Sequence, residues 1–110
     1  MKPLPARESA AGYPAAQFSI DIVIPVYNAP DDARRCIDSV LEHEHDDCRI
    51  TLIDDASTDP GVAALFEDVA ARGLPNVVLL RNAQNLGFTG TANRGMRNSR
   101  ADVVLLKDGF

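Results

Sequence analysis

The residues best suited to chemistry stand in three stretches, and each stretch follows an apolar run. The first is Asp54-Asp55, where Ile50-Thr51-Leu52-Ile53 ends abruptly on two carboxylates and Ala56-Ser57-Thr58-Asp59-Pro60 follows. A carboxylate pair at the carboxyl end of a buried strand lies where open α/β sheets bind ligands. The same residue types also serve as caps and turn formers, because their oxygens satisfy backbone amides. The second stretch is Tyr27-Asn28-Ala29-Pro30, after Ile20-Asp21-Ile22-Val23-Ile24-Pro25-Val26. The third runs from Arg81 to Gly95. It carries Gly87, Gly90 and Gly95 together with the polar side chains of Asn85, Asn93 and Arg94. Its glycines either let backbone approach a ligand or simply allow a tight loop and close helix packing.

Several chemistries are excluded by spacing. The glycines do not form the Gly-x-Gly-x-x-Gly dinucleotide fingerprint after the first strand. Gly90 and Gly95 have phosphate-loop spacing, but Met96-Arg97 follows where Lys-Ser/Thr is required. Both histidines sit in His43-Glu44-His45-Asp46-Asp47-Cys48, remote from any nucleophile loop, so neither a serine nor a cysteine triad is supported. That segment contains zinc-type ligands, but its spacing matches no closed site. A solvated connection is the better reading.

Alternating elements must position the three stretches. Residues 1–17 are rich in Pro and Ala without a period and read as a flexible leader. Phe18–Val26 is the first strand, with Pro25 marking its end or a bulge. A helix from Asp31 to about His43 buries Ala33, Cys36, Ile37, Val40 and Leu41, and Asp31 and Asp32 meet its positive end. A second helix opens at Asp59 as N-cap and Pro60 as first residue. It buries Val62, Leu65, Phe66 and Val69, runs to about Arg72, and closes at Gly73 in a left-handed turn. Val77–Leu80 is the third strand. A long polar loop then leads to a helix over about Thr91–Ser99, and Ala101–Leu106 is the fourth strand. The order β-α-β-α-β-α-β predicts a parallel sheet with right-handed crossovers. All three chemical stretches then collect along one edge.

Bulk properties narrow the class. The chain has 110 residues, enough for one core, and its 45% hydrophobic and 25% charged content is ordinary for a globular domain. The net charge of −5, with no Lys/Arg-rich run, gives no support to a nucleic-acid partner. No apolar stretch approaches the ~20 residues needed to cross a bilayer. Cys36 and Cys48 do not make a disulfide framework, and cytoplasmic residence is expected.

Taken together, the motifs resemble a known family. Val23-Ile24-Pro25-Val26-Tyr27-Asn28, then Leu52-Ile53-Asp54-Asp55-Ala56-Ser57-Thr58-Asp59, then Asn85-Leu86-Gly87-Phe88 with Ala92-Asn93-Arg94-Gly95, look like the amino-terminal half of a family 2 glycosyltransferase. The resemblance covers roughly residues 19–106. It implies a three-layer, Rossmann-like GT-A sheet, mostly parallel and here truncated after the fourth strand, with residues 18–110 as a partial domain. It implies an inverting hexosyltransferase-type activity of polysaccharide biosynthesis, using a UDP- or dTDP-linked sugar and a saccharide or other hydroxyl acceptor. By position, Pro25, Val26, Tyr27 and Asn28 would line the nucleoside pocket. Asp54 or Asp55 would accept from the base imide or the ribose hydroxyls. Asn85, Gly87, Asn93 and Arg94 would lie nearby, with Arg94 the cation for the diphosphate.

The chain departs from the family pattern at two points. The family holds a divalent metal, Mg²⁺ or Mn²⁺, on an Asn/Asp-x-Asp arrangement after the fourth strand, where it acts as a Lewis acid. Here Lys107-Asp108-Gly109 follows. Ungapped, the metal-binding acid falls on Gly109, and Asp108 stands one place early as the candidate ligand. The acceptor-binding elements and the general base would also lie beyond Phe110. The expectation is a fragment with no catalytic residue of its own, unable to transfer sugar alone and prone to self-association through uncovered sheet edges. Two other readings stand beside it. One is a non-catalytic nucleotide-binding or assembly module of the same fold. The other is a receiver-type signalling domain, disfavoured because its acidic pair would follow the first strand.

Overall fold

The computed structural model describes residues 20–43 and 48–107. The leader expected over residues 1–17, the start of the first strand, the segment between His43 and Cys48, and Asp108 lie outside the described residues.

Four parallel strands form one sheet in the order β3-β2-β1-β4. They are β1 (Ile20–Val26), β2 (Cys48–Asp54), β3 (Val77–Arg81) and β4 (Val103–Leu106). Helices α1 (Pro30–His43), α2 (Pro60–Ala71) and α3 (Gly87–Asn98) connect them. Side chains alternate across a strand, so even and odd positions face different helices. Ile24, Val26, Ile50 and Leu52 meet Ala33 and Ile37 of α1 and Val62, Leu65 and Val69 of α2 in one buried cluster. Full burial of each such aliphatic side chain contributes about 1.5–3 kcal/mol. The odd positions Val23 and Ile53 lie under α3. There a Cβ at Gly95 would collide with the Val23 side chain and press on Ile53. Glycine is therefore needed at that position to let the helix reach the sheet.

Pro25 lies inside β1, paired with Ile53, although β1 has strands on both sides. The ladder explains why this is tolerated. The Val23 carbonyl accepts from the Lys107 amide, so odd positions of β1 turn their peptide groups toward β4. The last β4 pair is Val23 with Leu106, so the missing N–H of Pro25 falls where β4 has already ended.

Two helix starts follow the local signals. Pro30 opens α1 with Asp31 and Asp32 in its first turn. Asp59 caps α2 by accepting from the Gly61 amide at 2.8 Å, with Pro60 next. Gly73 has a φ of 63°, the left-handed turn that ends α2. The third helix differs from expectation. It starts at Gly87 and not near Thr91, because its first amides are capped by Asp55, just past the end of β2. No local residue signals that cap: Leu86 at the N-cap position makes no side-chain bond. The fourth strand is also shorter than expected, beginning at Val103.

Candidate nucleotide-binding site

The carboxyl ends of β3, β2, β1 and β4 present Arg81, Asp54, Tyr27 and Lys107 in that order along one edge. The chain path reverses between β1 and β4, and such a switch point is where open sheets bind ligands.

The two adjacent carboxylates have different tasks. Asp54 is 3% exposed, and its Oδ1 accepts from the Ser57 amide at 2.9 Å. Its Oδ2 lies 3.9 Å from Nη1 of Arg81, whose side chain is 61% exposed. Asp54 and Arg81 line a groove of about 330 Å³ with Phe66, Glu67 and Leu79. Asp55 is fully buried. It accepts from Leu86 N at 2.7 Å, Gly87 N at 2.9 Å and Asn82 Nδ2 at 2.9 Å. Burial pushes its carboxyl up. The bonds from Leu86, Asn82, Thr91 and Gly87 together outweigh burial and hold it below the usual carboxylate range.

Asn28 fastens the first loop to the second. Its amide donates to Ser57 Oγ at 2.8 Å, and its Oδ1 accepts from the Thr58 and Asp59 amides at 2.9 and 3.0 Å. Asn28, Ala29 and Ala56 all adopt positive φ, between 48° and 59°. For alanine this left-handed backbone costs about 1–2 kcal/mol each, so two of these turn positions are held by the loop contacts rather than by residue preference.

The structure thus sorts the expected site residues. Pro25 and Val26 are buried in β1, and the Val26 carbonyl accepts from the Asp55 amide. Tyr27 is half-buried at the edge. Asn85 reaches back to the Asp55 carbonyl at 3.2 Å, and Gly87, with a φ of 79°, gives its amide to Asp55. Asn93 is exposed farther along α3. Arg94 donates from Nη1 to the Asn82 side chain at 2.7 Å and to the Arg81 carbonyl at 3.0 Å. Two further residues, not among those expected from the sequence, belong to the site. Arg81 is the exposed cation beside Asp54, and Asn82 is the buried amide joining Asp55, Thr91 and Arg94. The signal was available: both stand directly after the apolar run of β3, as Asp54 and Asp55 stand after that of β2.

Metal donors are sparse at the same edge. Among the described residues no three His, Cys, Asp or Glu side chains are grouped to hold an ion. The described end of β4 brings the cation Lys107, so the described residues on this edge do not by themselves make a metal centre. Among the described residues no helix is long and apolar enough to cross a membrane.

The family model described as glycosyl transferase family 2 matches residues 21–109. Over 89 residues the chain is 34% identical to an uncharacterized glycosyltransferase, YibD, of Escherichia coli K12, covering 81% of this chain and 25% of that protein. It is 32% identical over 94 residues to a poly(ribitol-phosphate) beta-glucosyltransferase of Bacillus spizizenii, covering 83% of this chain and 14% of that one. A mannosyltransferase from Pyrobaculum calidifontis, solved with GDP-Man and Mn²⁺, superposes with a TM-score of 0.71 at 21% identity, over 83% of this chain and 27% of that one. TarS of S. aureus in complex with UDP gives 0.70 at 20% identity, over 84% and 27% of the two chains. These two structural likenesses concern the fold, which is the GT-A α/β sheet. The chain spans about a quarter or less of the length of these proteins. A receiver-type reading falls away, and with motifs, sheet order and family model in agreement, the chain belongs to glycosyl transferase family 2.

Proposed function

We propose that this chain is the nucleotide-binding portion of an inverting glycosyltransferase that takes its sugar from a UDP- or dTDP-linked donor. The observation that carries this is the pairing of Asp54 and Arg81 at the strand-end edge. A nearly buried carboxylate that lines the groove offers oxygens to accept the imide N–H of uracil or thymine, or ribose hydroxyls. Arg81 beside it offers a flat, permanently charged surface to the nucleotide. The diphosphate then extends along the edge toward β4. In the transfer, an acceptor hydroxyl oxygen forms a bond to the anomeric carbon as the bond to the nucleoside diphosphate breaks. The hydroxyl proton goes to a base that is not among the residues assigned here. A divalent metal, when bound, would neutralise the leaving diphosphate. Asp108 is the ligand we propose for it.

We propose further that the 110-residue chain binds donor without turning it over, as a non-catalytic binding module would. Self-association is proposed at β4, an edge strand whose Val103, Leu105 and Leu106 are each 45–49% exposed. Cytoplasmic residence is proposed because neither Cys36 nor Cys48 forms a disulfide.

Titration calorimetry of UDP, dTDP and GDP, with and without Mn²⁺, tests the reading. UDP or dTDP should bind more tightly than GDP, and Asp54→Ala should weaken binding by about tenfold or more, as loss of a charged hydrogen bond does. Equal binding of all three nucleotides, unaffected by Asp54→Ala, would count against it.

A further inference from the structure

Arg94 is a cation in the loop-helix region that faces the site, and a direct contact with a diphosphate is its obvious role. Its bonds indicate another. A single nitrogen, Nη1, donates both to the Asn82 side-chain oxygen at 2.7 Å and to the Arg81 carbonyl at 3.0 Å. Asn82 is 3% exposed, and its side chain gives its two amide hydrogens to Asp55 at 2.9 Å and Thr91 at 3.0 Å. Its backbone amide donates to the Asp54 carbonyl at 2.8 Å. Arg94 therefore closes a ring of bonds that ties α3 to the end of β3 and, through Asn82, to the Asp55 carboxylate and the Asp54 backbone.

The consequence falls on Arg81. Its guanidinium is exposed and only 3.9 Å from Asp54, so its own side chain has little to hold it. The Arg81–Asn82 peptide, in contrast, is held on both sides: its carbonyl accepts from Arg94 and its N–H donates to the Asp54 carbonyl. We propose that Arg94 is a positioning residue: it fixes the Arg81–Asn82 peptide so that Arg81 stands beside Asp54, and it acts on the nucleotide through that peptide and not by touching the diphosphate. The inference rests on the nucleotide reading of the site. Because both bonds leave one nitrogen, a lysine ammonium can supply them in part, whereas a methionine of similar length supplies neither.

The test compares Arg94→Met and Arg94→Lys in the 110-residue chain, with uridine, UMP and UDP as ligands followed by NMR titration. Positioning predicts that Arg94→Met weakens all three by the same factor, about tenfold. Arg94→Lys should recover binding to within about threefold of wild type. Loss confined to UDP would mean direct contact with the diphosphate and would overturn the proposal, as would unchanged binding in Arg94→Met. Should Arg94→Met not fold, Arg94→Gln, uncharged but still able to donate, takes its place: positioning then predicts binding near wild type for all three ligands, and a loss confined to UDP overturns the proposal. Hydrogen exchange at the Asn82 amide separates this proposal from the reading beneath it. If wild type binds no uridine compound, the nucleotide reading fails. The ring is then judged alone: faster Asn82 exchange in Arg94→Met, by about tenfold, with unchanged exchange at Leu52, supports it, and unchanged Asn82 exchange sinks it.

Discussion

The carboxylate of Asp55 lies 2.7 Å from the amide of Leu86, a residue 31 positions later, and its second oxygen takes the amide of Gly87. A side chain from the end of one strand thus caps the helix that follows another. Negative charge at a helix N-terminus is stabilising, and here it is buried and fully bonded. This bond makes the third chemical stretch of the sequence part of the same rigid edge as the second.

The first prediction concerns that cap. Asp55→Ala should leave the part-buried Leu86 and Gly87 amides and the buried Asn82 side chain without their acceptor. Hydrogen bonds to a charged group contribute about 1.5–3 kcal/mol each, so a loss of about 3 kcal/mol or more is expected. Urea unfolding measures it. A loss below about 1 kcal/mol would mean the cap is dispensable.

The same residue predicts an acid dependence. Its carboxyl is held below the usual range in the folded chain, despite the opposing effect of burial. The stabilisation is therefore complete above the unfolded-state pKa of about 3.9 and disappears as the pH falls through the lower folded value. Urea midpoints between pH 6 and 2.5 should fall below about pH 4 in wild type. Asp55→Asn should start less stable and fall less steeply. Equal slopes would assign the acid transition to other carboxylates, of which Asp68, lowered by its bonds to Arg34 and Arg72, is one.

Two glycines separate packing from backbone conformation. Gly95→Ala should cost about 1–3 kcal/mol, because its methyl meets Val23 and Ile53 in a filled interior. Gly73→Ala has nothing within 4 Å of the new methyl, and its φ of 63° is the only obstacle. It should cost about 1 kcal/mol, and Gly73→Asn less, since asparagine tolerates that conformation. Thermal unfolding distinguishes them. Equal losses in the two asparagine variants, Gly73→Asn and Gly95→Asn, would contradict the assignment.

At the opposite end of the sheet, Asp21 is fully buried and pairs with Arg49 at 3.1 Å and Thr51 at 3.0 Å. Arg49 also donates to the Asn98 carbonyl at the end of α3. Asp21→Leu alone should destabilise by about 3 kcal/mol, because Arg49 loses its counter-charge, and adding Arg49→Met should restore most of that loss. A double variant no more stable than the single one would show that Arg49 matters chiefly through α3.

Much of the architecture was legible because its signals are local. Asp31 and Asp32 mark the first turn of α1, Asp59, Pro60 and Gly73 sit beside the ends of α2, and the apolar stripes of both helices recur at helical spacing. The start of α3 was not legible, because its cap comes from Asp55 across the sheet. The Asp21–Arg49 pair was hidden for a related reason: charges inside strands read as solvent-facing until α3 is known to cover that side. The site followed the same division. The motifs located the edge, but spacing does not reveal that Asn28, Asp55 and Arg94 bond to other parts of the chain, while Arg81 stands exposed beside Asp54.

The most direct measurement of the central claim is an amide chemical-shift map of the ¹⁵N-labelled chain titrated with UDP. Perturbations should concentrate at Tyr27, Asp54, Ser57, Arg81 and Asn82, and those shifts should vanish in Asp54→Ala. Shifts clustered elsewhere, along α1 and β4 for example, or none in a well-dispersed spectrum, would contradict a nucleotide site on this edge.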